Sequence, residues 1–155
     1  MRRKRNFKRD IIPDPKYSNV TIAKFINYVM KNGKKSTAQK VLYKTFDLLD
    51  KKYHQDPMVI FDAAMKNVGP MVEIKSRRIG GATYQVPREV RGDRKFALAS
   101  RWMLLAARSK KGKPMHEKLA EELLAASKNE GAAIKKKLDT HRMAEANKAF
   151  AHFSW

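Results

Sequence analysis

The sequence contains no cysteine, which excludes disulfide frameworks, cysteine-ligated zinc sites and thiol catalysis. It also has no long hydrophobic run, since the longest strongly apolar stretch, residues 102–107, is far too short to cross a bilayer. The first ten residues lack the apolar core of a secretory signal. Acidic residues are scarce, with 15 Asp and Glu against 35 Lys and Arg. We therefore expect a cytoplasmic protein without membrane contact or cofactor, whose partner is a polyanion.

The residues that are present suffice for a folded domain. The chain has 155 residues, 43% of them hydrophobic, which fits one compact domain with small appendages. Its net charge of +20 is unevenly spread, because residues 73–113 hold twelve basic and three acidic residues, whereas residues 45–72 hold three and four. Such a concentration of one sign destabilises a compact state by self-repulsion, so it indicates an anion-binding surface.

Most of the chain has helical periodicity, which predicts a mainly α fold, a helical bundle with one inserted hairpin. Asp93 is expected to cap a helix whose apolar side includes Leu98, Trp102 and Leu105. Pro114 is expected to begin the next helix. In this helix we expect Leu119 and Leu123 to face inward, and the outward residues to be Glu117, Glu121 and Glu122. In the last helix we expect Leu138 to face inward.

Two short runs with alternating polarity flank Gly80–Gly81 and predict a β-hairpin at about residues 72–88. A lone hairpin is marginally stable, and this one is strongly basic, so we expect it to project from the bundle. Arginines beside an exposed tip are suited to bidentate phosphate contacts or to stacking on bases. The hairpin residues expected near RNA are Lys75, Arg77, Arg78 and Arg88.

The N-terminal segment predicts a basic arm over residues 1–17, followed by a helical domain over residues 18–155. Two prolines and few apolar residues leave the arm little to bury, so we expect it to order on a polyanion. Its candidate contacts are Arg2, Arg3, Lys4, Arg5, Lys8 and Arg9.

Three arginines, Arg94, Arg101 and Arg108, are seven residues apart and share one face of a helix. No acidic residue interrupts the segment from Arg94 to Lys113, which includes Lys95 and continues into a basic loop with Lys110, Lys111 and Lys113. The helix lacks the Asn and Gln typical of side chains that read DNA bases, so folded RNA is the favoured partner. A DNA-binding architectural protein is the alternative.

A catalytic role is not indicated. The sequence has no Walker A, GxSxG or HExxH motif, and the four histidines are far apart. His141 stands beside Arg142 on the last predicted helix, where a helix contact or an RNA contact is favoured over catalysis. We expect no catalytic residues and no metal site, although an RNA-modifying enzyme is kept as a second alternative.

Several strings in the chain, SRRIGGATYQVPREVR, LASRW, IIPDPKY, GKKSTAQ and HRMAEANKAFAH, resemble the bacterial-type small-subunit ribosomal protein seven family over Asp10 to Trp155. The resemblance implies a bundle of six helices with a β-ribbon arm. It also implies primary binding to small-subunit ribosomal RNA, nucleation of head assembly, and a ribbon at the subunit interface near the exit-site tRNA and the mRNA exit path. The last helix would neighbour small-subunit protein eleven.

The resemblance also implies roles for individual residues. Lys34, Lys35, Arg91, Arg94 and Arg101 would contact ribosomal RNA, and a tRNA-facing ribbon would present Arg77, Arg78 and Tyr84. With the residues singled out above, the expected RNA-binding set is Arg2, Arg3, Lys4, Arg5, Lys8, Arg9, Lys34, Lys35, Arg91, Arg94, Lys95, Arg101, Arg108, Lys110, Lys111, Lys113 and Arg142. The set expected near tRNA and mRNA is Lys75, Arg77, Arg78, Tyr84 and Arg88.

Overall fold

The computed structural model describes residues 10–54 and 56–153, and these contain six α-helices, one β-hairpin and a C-terminal 3-10 helix. The predicted mainly α fold with one hairpin is confirmed. None of the described helices combines the length and apolar character needed to cross a membrane. In chain order the elements are α1 (Val20–Val29), α2 (Lys35–Tyr53), α3 (Pro57–Val68), β1 (Val72–Ile79), β2 (Ala82–Glu89), α4 (Gly92–Ser109), α5 (Met115–Ser127), α6 (Ala132–Ala146) and the 3-10 helix (Lys148–Phe153).

The chain divides into two compact units, the first ending at Lys40 and the second beginning at Val41. In the first unit, buried Asp14 builds a turn, because its Oδ2 accepts from the backbone N–H groups of Lys16 and Tyr17 at 3.1 and 3.3 Å. Asn19 then caps α1 by accepting from the backbone N–H of Thr21 at 2.7 Å. Residues 14–18 thus form a turn at the end of the predicted arm.

The second unit is built around helices that pack through apolar side chains. Phe46 of α2 and Phe61 of α3 are fully buried and meet edge to face, with ring centroids 5.9 Å apart. Helix α3 packs against α4, α5 and α6, and α4 also packs against α5 and α6. Asp56 begins α3 by accepting from the backbone N–H of Met58 at 2.8 Å, with Pro57 in the first turn.

Helix α4 buries only part of the predicted apolar side, on which Leu98 is buried as expected. Trp102 is half-buried and Leu105 is 62% exposed, while Met103 and Leu104 are buried. The physical reason is that α4 packs against three helices, so its buried arc is broad and consists largely of small residues that allow close approach. Its N-cap is Arg91, so Asp93 lies inside the first turn and does not cap the helix as expected.

Two further side chains lie opposite to their predicted side. Glu122 of α5 is buried at 1% exposure because two donors pair with its carboxylate, whereas it was expected to face outward. Leu138 of α6 is 58% exposed, although its helical spacing predicted an inward position. The buried side of α6 is formed instead by Ala133, Ile134, Thr140 and Ala144.

The hairpin pairs β1 with β2 in antiparallel register from Val72 opposite Glu89 to Ile79 opposite Ala82. Gly80 and Gly81 form the turn with φ values of +56° and +92°, the region that two-residue hairpin turns require. Strand β2 continues past Pro87, which is tolerated because this sheet has only two strands within the described part of the chain. Strand β1 packs on α6, and β2 packs on the 3-10 helix.

Candidate nucleic-acid interface

The exposed face of α4 presents the predicted row of arginines. Arg94, Arg101 and Arg108 are all exposed, and their spacing of seven residues brings them to within about 20° of one line along the helix. Exposed Leu105 lies on the same face between Arg101 and Arg108. The basic row is therefore free to meet an extended anion, since the helix packs into the bundle through its opposite side.

The start of α4 is anchored to the hairpin. Arg94 donates through Nε to Oε2 of Glu73 in β1 at 3.1 Å, and both side chains retain solvent contact. An exposed ion pair of this kind contributes at most about 1 kcal/mol, so Arg94 can exchange it for a phosphate. Arg91 is exposed at the N-cap, whereas Lys95 is half-buried with its aliphatic chain against Gly69.

The predicted basic loop after α4 is held by acidic side chains of α5. Lys110 contacts Glu122 at 2.9 Å and Glu121 at 3.8 Å, and Lys113 donates to Glu121. This hydrogen bond raises the pKa of Lys113 and lowers that of Glu121. Lys111 is exposed and has no ion-pair partner among residues 10–54 and 56–153. The loop is thus an anchored structure with one uncompensated lysine.

The predicted ribbon residues fall on two opposite faces of the hairpin. Arg77 and Tyr84 are cross-strand partners, and the 3-10 helix covers their face. Tyr84 packs on Phe150 and Phe153 with centroid distances of 5.2 and 5.3 Å, and Arg77 donates to the backbone oxygen of Phe153 at 3.2 Å. Arg78 is exposed on the other face, because neighbouring residues of a strand point to opposite sides. Lys75 and Arg88 are also exposed.

The remaining candidates lie apart from α4 in the chain. Lys34 and Lys35 are exposed residues of the first unit, and Arg142 is exposed on α6. The candidates of the N-terminal arm lie outside the described residues, and they are Arg2, Arg3, Lys4, Arg5, Lys8 and Arg9.

Helix α6 makes a long-range polar contact that the sequence did not indicate. His141 accepts through Nε2 from the backbone N–H of Met71 at 3.2 Å, which fixes the root of β1. Burial, and to a lesser extent the charge of Lys137, lower the pKa of His141. Lys137 donates to the backbone oxygen of Asn67 at 2.6 Å, and burial, followed by the charge of Lys95, lowers its pKa. His141 therefore acts as a neutral acceptor.

The described residues offer no grouping typical of a metal site. None of their His, Asp and Glu side chains form a cluster of three or more that could hold a metal ion. A cleft of about 150 Å³ lies between α2 and α5, but its Lys113 and Glu121 pair with each other. The only chemistry that these exposed groups share is the binding of anions.

The chain is similar to known proteins over nearly its whole length. A family model described as "Ribosomal protein S7p/S5e" matches residues 1–148. The small ribosomal subunit protein uS7 of Thermotoga neapolitana is 57% identical over 155 residues, which cover 100% of both chains. That of Methylobacterium radiotolerans is 55% identical over 148 residues, covering 96% of this chain and 95% of the relative. Because the family model matches nearly the whole chain, the chain belongs to the S7p/S5e family of ribosomal proteins.

Proposed function

We propose that this protein is a primary binder of small-subunit ribosomal RNA and nucleates assembly of the head of the subunit. The observation that carries the proposal is the exposed row of Arg94, Arg101 and Arg108 on α4, which no acidic residue interrupts. Guanidinium groups bind phosphates through two parallel hydrogen bonds, and a row on a rigid helix fixes where those phosphates must lie.

Membership of the family makes the chain a structural component of the small ribosomal subunit and not an enzyme. The predictions of a ribosomal, non-enzymatic protein are thereby confirmed. In bacteria the ribosome is a cytoplasmic particle, in agreement with the predicted location.

The hairpin is assigned to the subunit interface, near the exit-site tRNA and the mRNA exit path. Its exposed Arg78 supports this assignment, because the adjacent arginine, Arg77, is engaged by the 3-10 helix. The open face also carries Ser76, Thr83 and Gln85, small or polar residues that permit close approach to a sugar–phosphate chain. We therefore expect contacts to come from the Arg78 face of the ribbon.

The later part of α6, from Leu138 onward, is assigned to a neighbouring small-subunit protein, protein eleven. Leu138 and Met143 are large apolar residues that remain 58% and 47% exposed on this helix. Exposed Arg142 lies between them in sequence. A mixed apolar and charged surface is more typical of a protein contact than of a phosphate contact.

The α4 assignment is tested by replacing Arg94 and Arg101 with alanine and measuring binding to a head-domain transcript of small-subunit ribosomal RNA. Each lost phosphate contact should lower the slope of log K against log salt by about 0.7–0.9. The double variant should fold normally, since both side chains are exposed. An unchanged slope would remove α4 from the interface. Duplex DNA serves as competitor, and equal affinity for it would favour the architectural DNA-binding alternative.

The ribbon assignment is tested by Arg78→Ala, with Gln85→Ala on the same face as a matched control. The arginine variant should bind ribosomal RNA as the wild type does, but subunits assembled with it should retain exit-site tRNA less well. The expected loss is about 10- to 100-fold, in line with one charged hydrogen bond. Normal retention by the Arg78 variant would contradict the assignment.

A further inference from the structure

One buried carboxylate joins two basic segments of the second unit. Glu122 of α5 is 1% exposed, and its Oε2 lies 2.9 Å from Nζ of Lys110 in the loop after α4. Its Oε1 accepts from the backbone N–H of Ala133 in the first turn of α6 at 3.0 Å. The loop and the start of α6 are therefore held by the two oxygens of the same side chain.

The surroundings of Glu122 leave its carboxylate little freedom. Gly131, just before α6, approaches so closely that a Cβ at this position would lie 2.9 Å from Oε1. Across the described part of the chain, every buried side-chain nitrogen and oxygen has a hydrogen-bond partner. A buried carboxylate that lost either donor would carry a large desolvation cost, so the observed arrangement is strongly preferred.

Each of the two segments presents an exposed lysine. Lys111 follows Lys110 in the loop, and Lys136 lies one turn after Ala133 on α6. Neither has an ion-pair partner within the described residues, unlike Lys110 and Lys113, whose charges are compensated by α5. Lys136 was not among the residues that the sequence marked as RNA contacts.

We propose that Glu122 is a positioning residue for RNA binding, which holds the loop against the start of α6 so that Lys111 and Lys136 bind phosphates of the same RNA. The proposal rests on the proposed RNA-binding function. Binding is strengthened when cationic groups are fixed before the encounter, because their ordering then costs nothing on association. The carboxylate thus favours binding of a polyanion although its own charge opposes it.

Glu122→Gln is a sharp test, because loss of the negative charge and loss of the positioning contact should change RNA affinity in opposite directions. The glutamine oxygen can still accept from Ala133, but its amide cannot pair with the ammonium of Lys110, since both are donors. Simple electrostatics predicts tighter RNA binding after loss of a negative charge. We expect weaker binding instead, by about 2- to 10-fold for one or two lysines that are no longer immobilised. The salt slope should fall by about 0.7–0.9.

Glu130→Gln is the matched control, because Glu130 lies close to α6 in the chain but its exposed carboxylate has no ion-pair partner within the described residues. This variant should bind the head-domain transcript as tightly as the wild type or slightly more tightly. In a Lys110→Ala background, Glu122→Gln should cause no further loss of affinity. A merely structural effect would instead add to that of Lys110→Ala and leave the salt slope unchanged.

Lys136→Ala keeps the proposal testable even if Glu122→Gln fails to fold, because Lys136 is exposed. It should lower the slope by about 0.7–0.9. An unchanged slope for this variant, or tighter binding by a folded Glu122→Gln protein, would overturn the proposal. If Arg94 and Arg101 still contribute to binding in either case, only this inference fails. If those arginines contribute nothing, the proposed function fails as well.

Discussion

At the level of single residues, Gly131 shows how one position combines a backbone requirement with a packing requirement. Its φ of 96° and ψ of 173° lie in a region that is essentially restricted to glycine. The same residue lies against Glu122, so a side chain would meet both strain and a collision. A glycine that ends a helical pattern could be identified from sequence, but the carboxylate beside it could not.

Gly131→Ala should lower the free energy of unfolding by about 1–3 kcal/mol from backbone strain, and further if Glu122 is displaced. Gly112→Ala is the matched control, because Gly112 also has a positive φ, +79°, but no other atom lies within 4 Å of where its methyl group would be. The free energy of unfolding of the Gly112→Ala protein should fall by less, about 1–2 kcal/mol. Urea denaturation of both variants measures the difference, and equal losses would show that the contact with Glu122 contributes nothing.

At the level of elements, the hairpin is attached to its neighbours by several contacts, among them the ion pair of Glu73 with Arg94. The 3-10 helix covers its Tyr84 face, and the bond from Met71 to His141 fixes its root on α6. The hairpin could be predicted because a Gly–Gly turn between alternating runs depends on nearby residues only. Its attachment could not, since Met71 and His141 are 70 residues apart in the chain.

The attachment at His141 predicts a pH dependence of stability. Its pKa is lowered in the folded protein, so the stability it contributes is present above the unfolded pKa of about 6.5 and is lost as pH falls through the folded value. His141→Gln keeps an acceptor that does not titrate, and its urea midpoint should fall less between pH 8 and pH 5 than that of the wild type. Identical pH profiles for wild type and His141→Gln would contradict the prediction.

At the level of the whole molecule, ion pairs compensate some of the basic side chains and leave others exposed to solvent. Acidic side chains of α5 pair with Lys110 and Lys113, while the arginines of α4 remain exposed. A protein with a net charge of +20 therefore carries uncompensated repulsion when its polyanion is absent. The excess charge destabilises the free protein and favours the bound one.

This repulsion predicts that salt stabilises the free protein. Raising NaCl from about 0.05 to about 0.3 M shortens the screening length, so the urea midpoint should rise. A Lys111→Gln, Lys136→Gln variant has two fewer uncompensated charges and should show a smaller rise. A midpoint that falls with salt would mean that attractive ion pairs, such as Lys110–Glu122, outweigh the repulsion.

The sequence by itself determined the helices, the hairpin and the basic row on α4, because these depend on periodicity, turn residues and spacing within about twenty residues. It also determined the family through strings spread along the chain. Only the tertiary structure decided which face of α4 is buried, that Arg77 and Arg78 serve different surfaces, and that Glu122 lies inside. Those outcomes depend on partners distant in sequence, such as Ala133 for Glu122 and Phe153 for Arg77, whose donors and acceptors meet only once the chain has packed.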